Sequence, residues 1–323
     1  MAFWLMGNAQ AETSMNPDEN NLFEQEPAPP SNQSRAVHSS PVASSAALPL
    51  ADVEGAPDPA KYLPPAINPI PEDFRVPWGW ADLAAFVVLA IAGFLLLSII
   101  ITMGLAISGV DIRRIQNSPH EVILLNILIQ VVLDLGLLAY LAVQMRLRFR
   151  SPFWHTIGWR KLETGSFPQA AVYFGLILAG FFLSVIVSLG STLFPPKKDL
   201  PIESLFQDRH TTLLFMLIAV LLAPLVEETI FRGYIYPVIG RSFGKLWGIL
   251  ATGLLFGLLH AEQLWGGWGQ IALLIFVGIV LTFARALSRT VVAGFVIHTS
   301  YNSIQVIGLL IATHGLRYMP GAH

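Results

Sequence analysis

The residues of this chain that could do chemistry form three pairs, each with a spacing of four positions and each within a long apolar run. The pairs are Glu228/Arg232, Phe256/His260 and His298/Asn302, and a second carboxylate, Glu227, precedes the first pair. Residues four positions apart lie on one face of a helix. Ionisable side chains are costly in lipid unless they face the interior of a helix bundle. Three helices therefore offer a carboxylate, two imidazoles and an amide for one functional site.

The two neighbouring carboxylates, Glu227 and Glu228, are expected to have different partners. Successive residues of a helix are rotated by about 100°, so Glu228 shares a face with Arg232, in the favourable order of acid before base. Arginine can then neutralise Glu228, while Glu227 stays available for chemistry. The alternative interpretation is a structural ion pair with one additional polar contact.

The composition favours a membrane protein. Of 323 residues, 54% are hydrophobic and only 12% are Asp, Glu, Lys or Arg, whereas a soluble domain has about 25% charged residues. The net charge of −2 excludes a broadly basic nucleic-acid-binding protein. The sequence contains no Cys, which excludes thiol nucleophiles, disulfides and Cys-ligated metal centres. Any catalysis must therefore use carboxylates, His, Ser, Thr, Lys or Tyr.

Seven apolar runs after Trp78 each approach the ~20 residues that a helix needs to cross a ~30 Å hydrocarbon layer. None of them alternates with a period of two, so membrane strands are not expected. The runs predict an all-α polytopic transmembrane bundle of seven helices, or eight if residues 233–244 also enter the membrane. The predicted helices cover residues 83–110, 121–145, 168–194, 211–231, 246–262, 269–287 and 290–313.

The amino-terminal region has a different composition. Residues 1–77 contain 13 of the 22 prolines, and residues 1–75 contain ten acidic against three basic residues. Such a sequence cannot bury enough apolar surface to offset the entropy of the chain. We therefore predict a disordered, acidic, Pro-rich tail over residues 1–77.

Loop charges and tryptophans predict how the bundle sits in the membrane. Ten Lys and Arg residues, among them Arg232 and Arg285, are assigned to one side and six to the other. The positive-inside rule then places the amino terminus in the cytoplasm and the carboxyl end outside, in a plasma or inner membrane. Seven of the eight tryptophans lie at or just outside predicted helix ends, as in an interfacial aromatic belt.

Three motifs in the second half resemble those of a known family. Glu-Glu-xxx-Arg at 227–232, Phe-xxx-His at 256–260 and His-xxx-Asn at 298–302 follow one another on separate predicted helices. They are similar to the motifs of the CPBP family, which comprises CAAX prenyl proteases of the Rce type and bacteriocin-processing or Abi-type intramembrane proteases. The resemblance implies a catalytic transmembrane domain over residues 205–315, preceded by amino-terminal transmembrane helices over 78–200.

The resemblance also implies an activity, an intramembrane endopeptidase acting on a lipid-modified or membrane-associated peptide or protein. By analogy with the family, Glu227 and His260 would activate a water, and His298 and Asn302 would donate hydrogen bonds to the oxyanion. The resemblance also places Glu228 in the catalytic set, where it would hold the geometry together with Arg232. It assigns supporting roles to Arg232 and Phe256. The implied partners are the substrate and the lipid bilayer, with no nucleic acid and no cofactor.

A zinc-dependent mechanism is the main alternative. Glu227, His260 and His298 would make a plausible zinc set with one open position. The sequence has no His-Glu-xxx-His helix, and Asn302 is a poor zinc ligand whose pairing with His298 suits oxyanion binding better. These points favour the metal-free scheme.

Two non-enzymatic alternatives stay open. The first is a non-catalytic relative of the family that acts as an immunity or scaffold protein. The second is a transporter, suggested by Asn126, Gln130 and Asp134, which form a polar stripe on one face of the second helix. Such a stripe must face protein or a water-filled cavity in the membrane, and structural hydrogen bonding is the simpler interpretation.

A serine-protease motif is the least favoured interpretation. Residues 240–244 read Gly-Arg-Ser-Phe-Gly, but a nucleophile elbow needs a strand before the serine. We predict a small-residue turn around Ser242 between the fourth and fifth helices.

Helix depth weakens the convergence of the three motifs without refuting it. With a rise of 1.5 Å per residue, Glu227 lies roughly 24 Å from the outer end of a helix that starts at residue 211. His260 lies roughly 21 Å from the inner end of a helix that starts at residue 246. These two depths do not coincide in a ~30 Å layer. The depths would coincide if the fourth helix started nearer residue 215.

Overall fold

A computed structural model describes residues 70–111, 115, 118–196, 200–206 and 208–317, and the regular elements within these ranges are helical. Short helical turns occupy Glu72–Phe74, Phe153–Thr156 and Pro201–Phe206. The seven long helices are α1 (Trp80–Ile107), α2 (Pro119–Leu147), α3 (Gln169–Leu193), α4 (Arg209–Phe243), α5 (Lys245–Leu259), α6 (Trp268–Ser288) and α7 (Val291–Ala312).

The protein is a multi-pass membrane protein. All the long helices except α5 are long and apolar enough to cross a bilayer. Helix α5 has 15 residues and is about 22 Å long, so it is shorter than the ~30 Å hydrocarbon layer. The predicted all-α transmembrane bundle is confirmed.

Helix α4 is the longest element and carries the Glu-Glu-xxx-Arg motif. It contains two π-helical stretches, Ile218–Leu222 and Glu228–Ile235. Each stretch ends two residues before a proline, Pro224 or Pro237. Proline lacks an N–H and its ring clashes with the preceding turn, which gives a physical reason for the wider turns. π-helical turns are frequent at functional sites.

The prediction that the fourth helix ends at residue 231 was wrong. Residues 233–243 continue α4 and do not form an eighth helix, and Ser242 lies in its last turn rather than in a loop. The chain reverses at Gly244, whose φ of +88° favours a residue without a Cβ. Helix α5 follows at once, and it ends at Leu259 rather than at residue 262.

The longer α4 places Glu227 and His260 at the same level. Glu227 lies 16 residues before the end of α4 at Phe243, and His260 lies 15 residues after the start of α5 at Lys245. At 1.5 Å per residue both are about 23 Å from the turn that joins the two helices. The predicted difference in depth was therefore wrong, because it took residue 231 as the inner end of the fourth helix.

Small residues bring α5 and α6 into backbone contact. A Cβ at Gly253 would lie 2.6 Å from the backbone nitrogen of Ile279, and a Cβ at Gly257 would lie 2.7 Å from that of Ile275. The Gly-xxx-Gly spacing thus forms a close helix interface, which fixes the position of the Phe-xxx-His motif on α5.

The boundary of the predicted disordered tail was wrong. Residues 70–77 are ordered, and Phe74 is buried with its ring 5.5 Å from that of Tyr236 on α4. The Asp73 carboxylate forms an ion pair of 3.2 Å with Arg285 on α6. Apolar contact and a buried ion pair therefore hold this segment, although its composition resembles that of the preceding sequence.

Residues 1–69 lie outside the described residues, so the prediction of a disordered tail there stays a prediction. The predicted domain boundary between residues 200 and 205 is likewise untested.

Two of the tryptophans assigned to an aromatic belt bind α4 instead. The Trp78 indole is buried and donates to the carbonyl of Tyr234 at 2.9 Å, and the Trp159 indole donates to the Thr229 hydroxyl at 2.9 Å. Both acceptors belong to the π-helical stretch Glu228–Ile235.

Two of the charges counted for orientation are buried inside the bundle and do not contribute to a loop. Arg232 and Arg285 are buried within α4 and α6. Without them the ten assigned positions become eight, against six on the other side. The cytoplasmic amino terminus stays a prediction that rests on a smaller bias.

Candidate active site

A buried ion pair on α4 forms the base of the site. Arg232 Nη1 donates to Glu228 Oε1 at 2.8 Å, and both side chains are fully buried. The spacing of four residues on one helix face produces this pair as predicted. A fully buried charge pair needs further hydrogen bonds to offset desolvation.

Helix α6 supplies those further hydrogen bonds. Arg232 Nη2 donates to the carbonyl of Gly278 at 3.0 Å, and Arg232 Nε donates to the Thr282 hydroxyl at 3.3 Å. The guanidinium also lies over the ring of Phe256, 4.5 Å from its centroid, in the geometry of a cation–π contact. The sequence analysis missed Gly278 and Thr282, because a backbone carbonyl and a lone hydroxyl leave no pattern in an apolar run.

Glu227 lies between the two histidines. One carboxylate oxygen, Oε1, is 3.6 Å from His260 Nε2, and the other, Oε2, is 3.8 Å from His298 Nε2. The Glu227 side chain is 23% exposed and the His260 side chain 21% exposed. Glu227 thus has a different environment from its neighbour Glu228, and it is the accessible carboxylate of the two.

The other ring nitrogen of each histidine has an oxygen acceptor. His260 Nδ1 lies 2.7 Å from the carbonyl of Phe256, and His298 Nδ1 lies 3.0 Å from Glu228 Oε1. These partners assign the ring proton to Nδ1 in both residues. The Nε2 atom of each ring faces the Glu227 carboxylate.

Phe256 joins the parts of the site. Its ring centroid is 4.8 Å from that of His260 and 5.8 Å from that of His298, and it covers Arg232 as described above. The Phe-xxx-His motif therefore has a structural basis, since the aromatic ring separates the buried guanidinium from the two imidazoles.

Asn302 lies one turn beyond His298 on α7 and binds a different part of α4. Its Nδ2 donates to the carbonyl of Ala219 at 2.7 Å. Ala219 belongs to the π-helical stretch Ile218–Leu222. The structure thus brings together Glu227, Glu228, His260 and His298, and it places Asn302 beside them on the same helix face as His298.

The four residues do not form a metal centre as they are placed. In the described part of the chain, no group of three or more His, Asp and Glu side chains has the arrangement to hold a metal ion. The alternative zinc set, Glu227, His260 and His298, stays untested, and we derive no step through a metal.

Ser242 has structural partners. It accepts a hydrogen bond from the Trp80 indole at 2.9 Å, and its hydroxyl donates to the carbonyl of Val238 at 3.0 Å. This arrangement on a helix is not a nucleophile elbow.

Comparison with known proteins agrees with the three motifs. Residues 209–304 match the family model for the type II CAAX prenyl endopeptidase, Rce1-like. The resemblance predicted from the motifs is confirmed over these residues. No curated protein and no solved structure gives a significant match.

The Rce1-like match covers the part of the chain that builds the site. It extends from the start of α4 into α7 and includes all three motifs. The match is to a family of endopeptidases, and so the similarity indicates a membrane-embedded protease acting on a membrane-associated peptide.

Proposed function

We propose that the protein is an intramembrane endopeptidase in which Glu227 activates water for the hydrolysis of a peptide bond. The observation that carries this proposal is the position of the Glu227 carboxylate between two imidazole Nε2 atoms, at 3.6 and 3.8 Å. The Glu227 carboxylate and His260 Nε2 converge as hydrogen-bond acceptors that can bind a donor, and water is the donor that peptide hydrolysis requires.

The proton balance follows from this arrangement. The water oxygen attacks the scissile carbonyl carbon while Glu227 accepts one of its protons, with His260 holding the water through Nε2. The C–N bond then breaks, and the proton on Glu227 passes to the departing nitrogen. The products are an amine and a carboxylic acid, which keeps the second proton of the water until it ionises.

The carbonyl oxygen becomes an oxyanion when water attacks, and it needs hydrogen-bond donors on the side away from the attacking water. One Nδ2 proton of Asn302 binds Ala219, and the other is available for the oxyanion. His298 can donate through Nε2 when both of its ring nitrogens carry protons, and the Glu228 carboxylate at Nδ1 orients the ring as the triad carboxylate orients its histidine. Glu228 is therefore a positioning residue rather than a catalytic one.

The substrate we propose is a peptide that is held at the membrane by a lipid or by its own apolar segment. The site lies in a bundle of helices that are long and apolar enough to cross a bilayer, which favours a substrate that is itself held in the membrane. The family match to prenyl endopeptidases supports a prenylated cysteine peptide as the first one to test.

Cleavage assays on the purified protein test the proposal. The assays compare a farnesylated-cysteine peptide, its unprenylated form and a Cys-free transmembrane peptide. We expect cleavage of the farnesylated or the transmembrane peptide, and none by Glu227→Gln, which keeps size and polarity but removes the base. The exposed Glu203→Gln is the matched control and should keep full activity. Full activity of Glu227→Gln would refute the proposed base, and no cleavage by the unaltered protein would favour the scaffold alternative.

Chelation distinguishes the two ways of activating water. In the metal-free scheme, prolonged dialysis against a strong chelator leaves the rate of cleavage unchanged. Activity that disappears on chelation and returns specifically with zinc would overturn this scheme and make His260 and His298 ligands.

A further inference from the structure

The polar stripe on α2 is the strongest unassigned feature of the molecule. Asn126, Gln130 and Asp134 lie near the middle of a helix of 29 residues. Gln130 Nε2 donates to Asp134 Oδ1 at 2.8 Å, and Gln130 is exposed. An amide and a carboxylate at the centre of a membrane helix are costly unless they face protein or water.

The stripe lies on the side of α2 that faces α4. Leu137 and Leu141, one and two turns beyond Asp134, are buried in the same cluster as Tyr234 of α4. Further along the same face, Gln144 Oε1 accepts a hydrogen bond from the Tyr234 hydroxyl at 3.0 Å. The face of α2 that packs on α4 thus also carries Asp134.

Helix α2 contacts the part of α4 that carries Glu227. The contact involves the stretch Ala223–Glu227, and Glu227 is the accessible carboxylate of the site. The side of α2 that faces α4 therefore carries a row of hydrogen-bonding side chains, and the α4 stretch that it contacts ends at the proposed water-activating group.

The spacing of the stripe fits an extended peptide. Residues four positions apart on a helix are about 6.0 Å apart along its axis. Backbone groups that point to the same side of an extended chain repeat every two residues, about 6.6–6.8 Å. A substrate segment that unwinds to expose its scissile bond needs partners for its backbone N–H and C=O groups inside the bilayer, and the amides and carboxylate of the stripe supply them at nearly this repeat.

We propose that Asn126, Gln130 and Asp134 of α2 form the wall of a substrate-binding groove opposite Glu227, and that they bind the backbone of an extended substrate segment. This inference rests on the proposed peptidase function and extends it, because it names the surface that holds the substrate. The stripe has no part in activating water and is a binding and positioning surface.

The absence of native Cys from the sequence allows a direct test. Single substitutions Asn126→Cys, Gln130→Cys and Asp134→Cys each introduce a unique thiol. The matched controls on the same helix are Leu128→Cys, Val132→Cys and Leu135→Cys, whose native side chains are exposed on the apolar surface of α2. Each variant is reconstituted in lipid vesicles and treated with a water-soluble, charged methanethiosulfonate.

Thiols of the stripe should react about tenfold faster or more than the controls, because thiolate forms in water and not in lipid. A farnesylated peptide, whose only cysteine is blocked by the lipid, should slow the labelling at residues 130 and 134 when it is added at saturation. The Cys-free transmembrane peptide is tested in the same way. Unreactive stripe thiols would overturn the proposal, and so would reactive thiols that neither peptide protects, since these would indicate a water pathway only.

The labelling does not depend on turnover, so the two proposals can fail separately. If a peptide protects the stripe thiols in a protein that cleaves neither peptide, the proposed peptidase function is refuted and the proposed binding groove is supported. If the protein cleaves a peptide that does not protect these thiols, the peptidase function is supported and the binding groove is refuted. Because each position is tested independently, Gln130→Cys and Asn126→Cys keep the test valid if Asp134→Cys does not fold.

Discussion

Glu228 connects the buried ion pair to the reacting groups. Its Oε1 accepts from both Arg232 and His298, at 2.8 and 3.0 Å. Arginine offsets the charge of the carboxylate, and the carboxylate in turn fixes the ring orientation of His298. Glu228 thus links the buried ion pair on α4 to the orientation of the His298 ring on α7.

Removal of Arg232 should destabilise the protein strongly. In Arg232→Ala the Glu228 carboxylate stays buried without its cation, a change that costs about 3–5 kcal/mol in other buried pairs. The double variant Glu228→Gln/Arg232→Met removes both charges and should recover most of that loss. Unfolding in a detergent titration measures both, with the exposed Arg146→Ala as the control. An Arg232→Ala protein as stable as this control would show that the pair does not contribute to stability.

At the scale of elements, α4 and α7 meet at a glycine. A Cβ at Gly294 of α7 would collide with Glu228 Oε2, and Glu228 is held in place by Arg232 and His298. Since Glu228 is fully buried, it has little room to move. Either α7 or the carboxylate must shift to accommodate a methyl group.

Gly294→Ala should therefore reduce both stability and activity. Overpacking of this kind costs about 1–3 kcal/mol, and displacement of Glu228 changes the orientation of His298. Gly308→Ala on the same helix is the control, because nothing lies within 4 Å of its Cβ position. There we expect unchanged activity and a gain of up to about 1 kcal/mol from helix propensity. Equal behaviour of the two variants in unfolding and cleavage assays would contradict the close contact.

The elements also show where prediction from sequence stops. The spacing of four residues predicted the pairs of the site, because that spacing is a property of any single helix. The length of α4 could not be predicted, because Arg232, Gly233 and Pro237 give residues 232–243 the composition of a loop. Contacts with α6 and hydrogen bonds within the π-helical turns keep residues 232–243 helical. Contacts between distant segments of the chain leave no signature in the sequence.

For the whole molecule, the segment before α1 belongs to the folded bundle. Arg241 of α4 donates to the carbonyls of Val76 and Trp78, at 3.0 and 2.8 Å. Glu72 pairs with Arg160 at 3.0 Å, on the connection between α2 and α3. These contacts begin at residue 72. The tail that composition predicts over residues 1–77 therefore includes residues that the membrane domain needs.

Two deletions test separately what the acidic sequence and the segment before α1 contribute to the fold. Removal of residues 1–69 should leave membrane insertion and stability unchanged, because the Pro-rich, acidic composition of that region is unsuited to a packed core. Removal of residues 1–79 also deletes Phe74 and Trp78, which are 4% and 1% exposed. Loss of two such aromatic side chains from a core costs several kcal/mol, since each alone is worth about 3–5 kcal/mol. Membrane yield and unfolding in detergent distinguish the two proteins, and equal stability would show that residues 70–79 are dispensable for the fold.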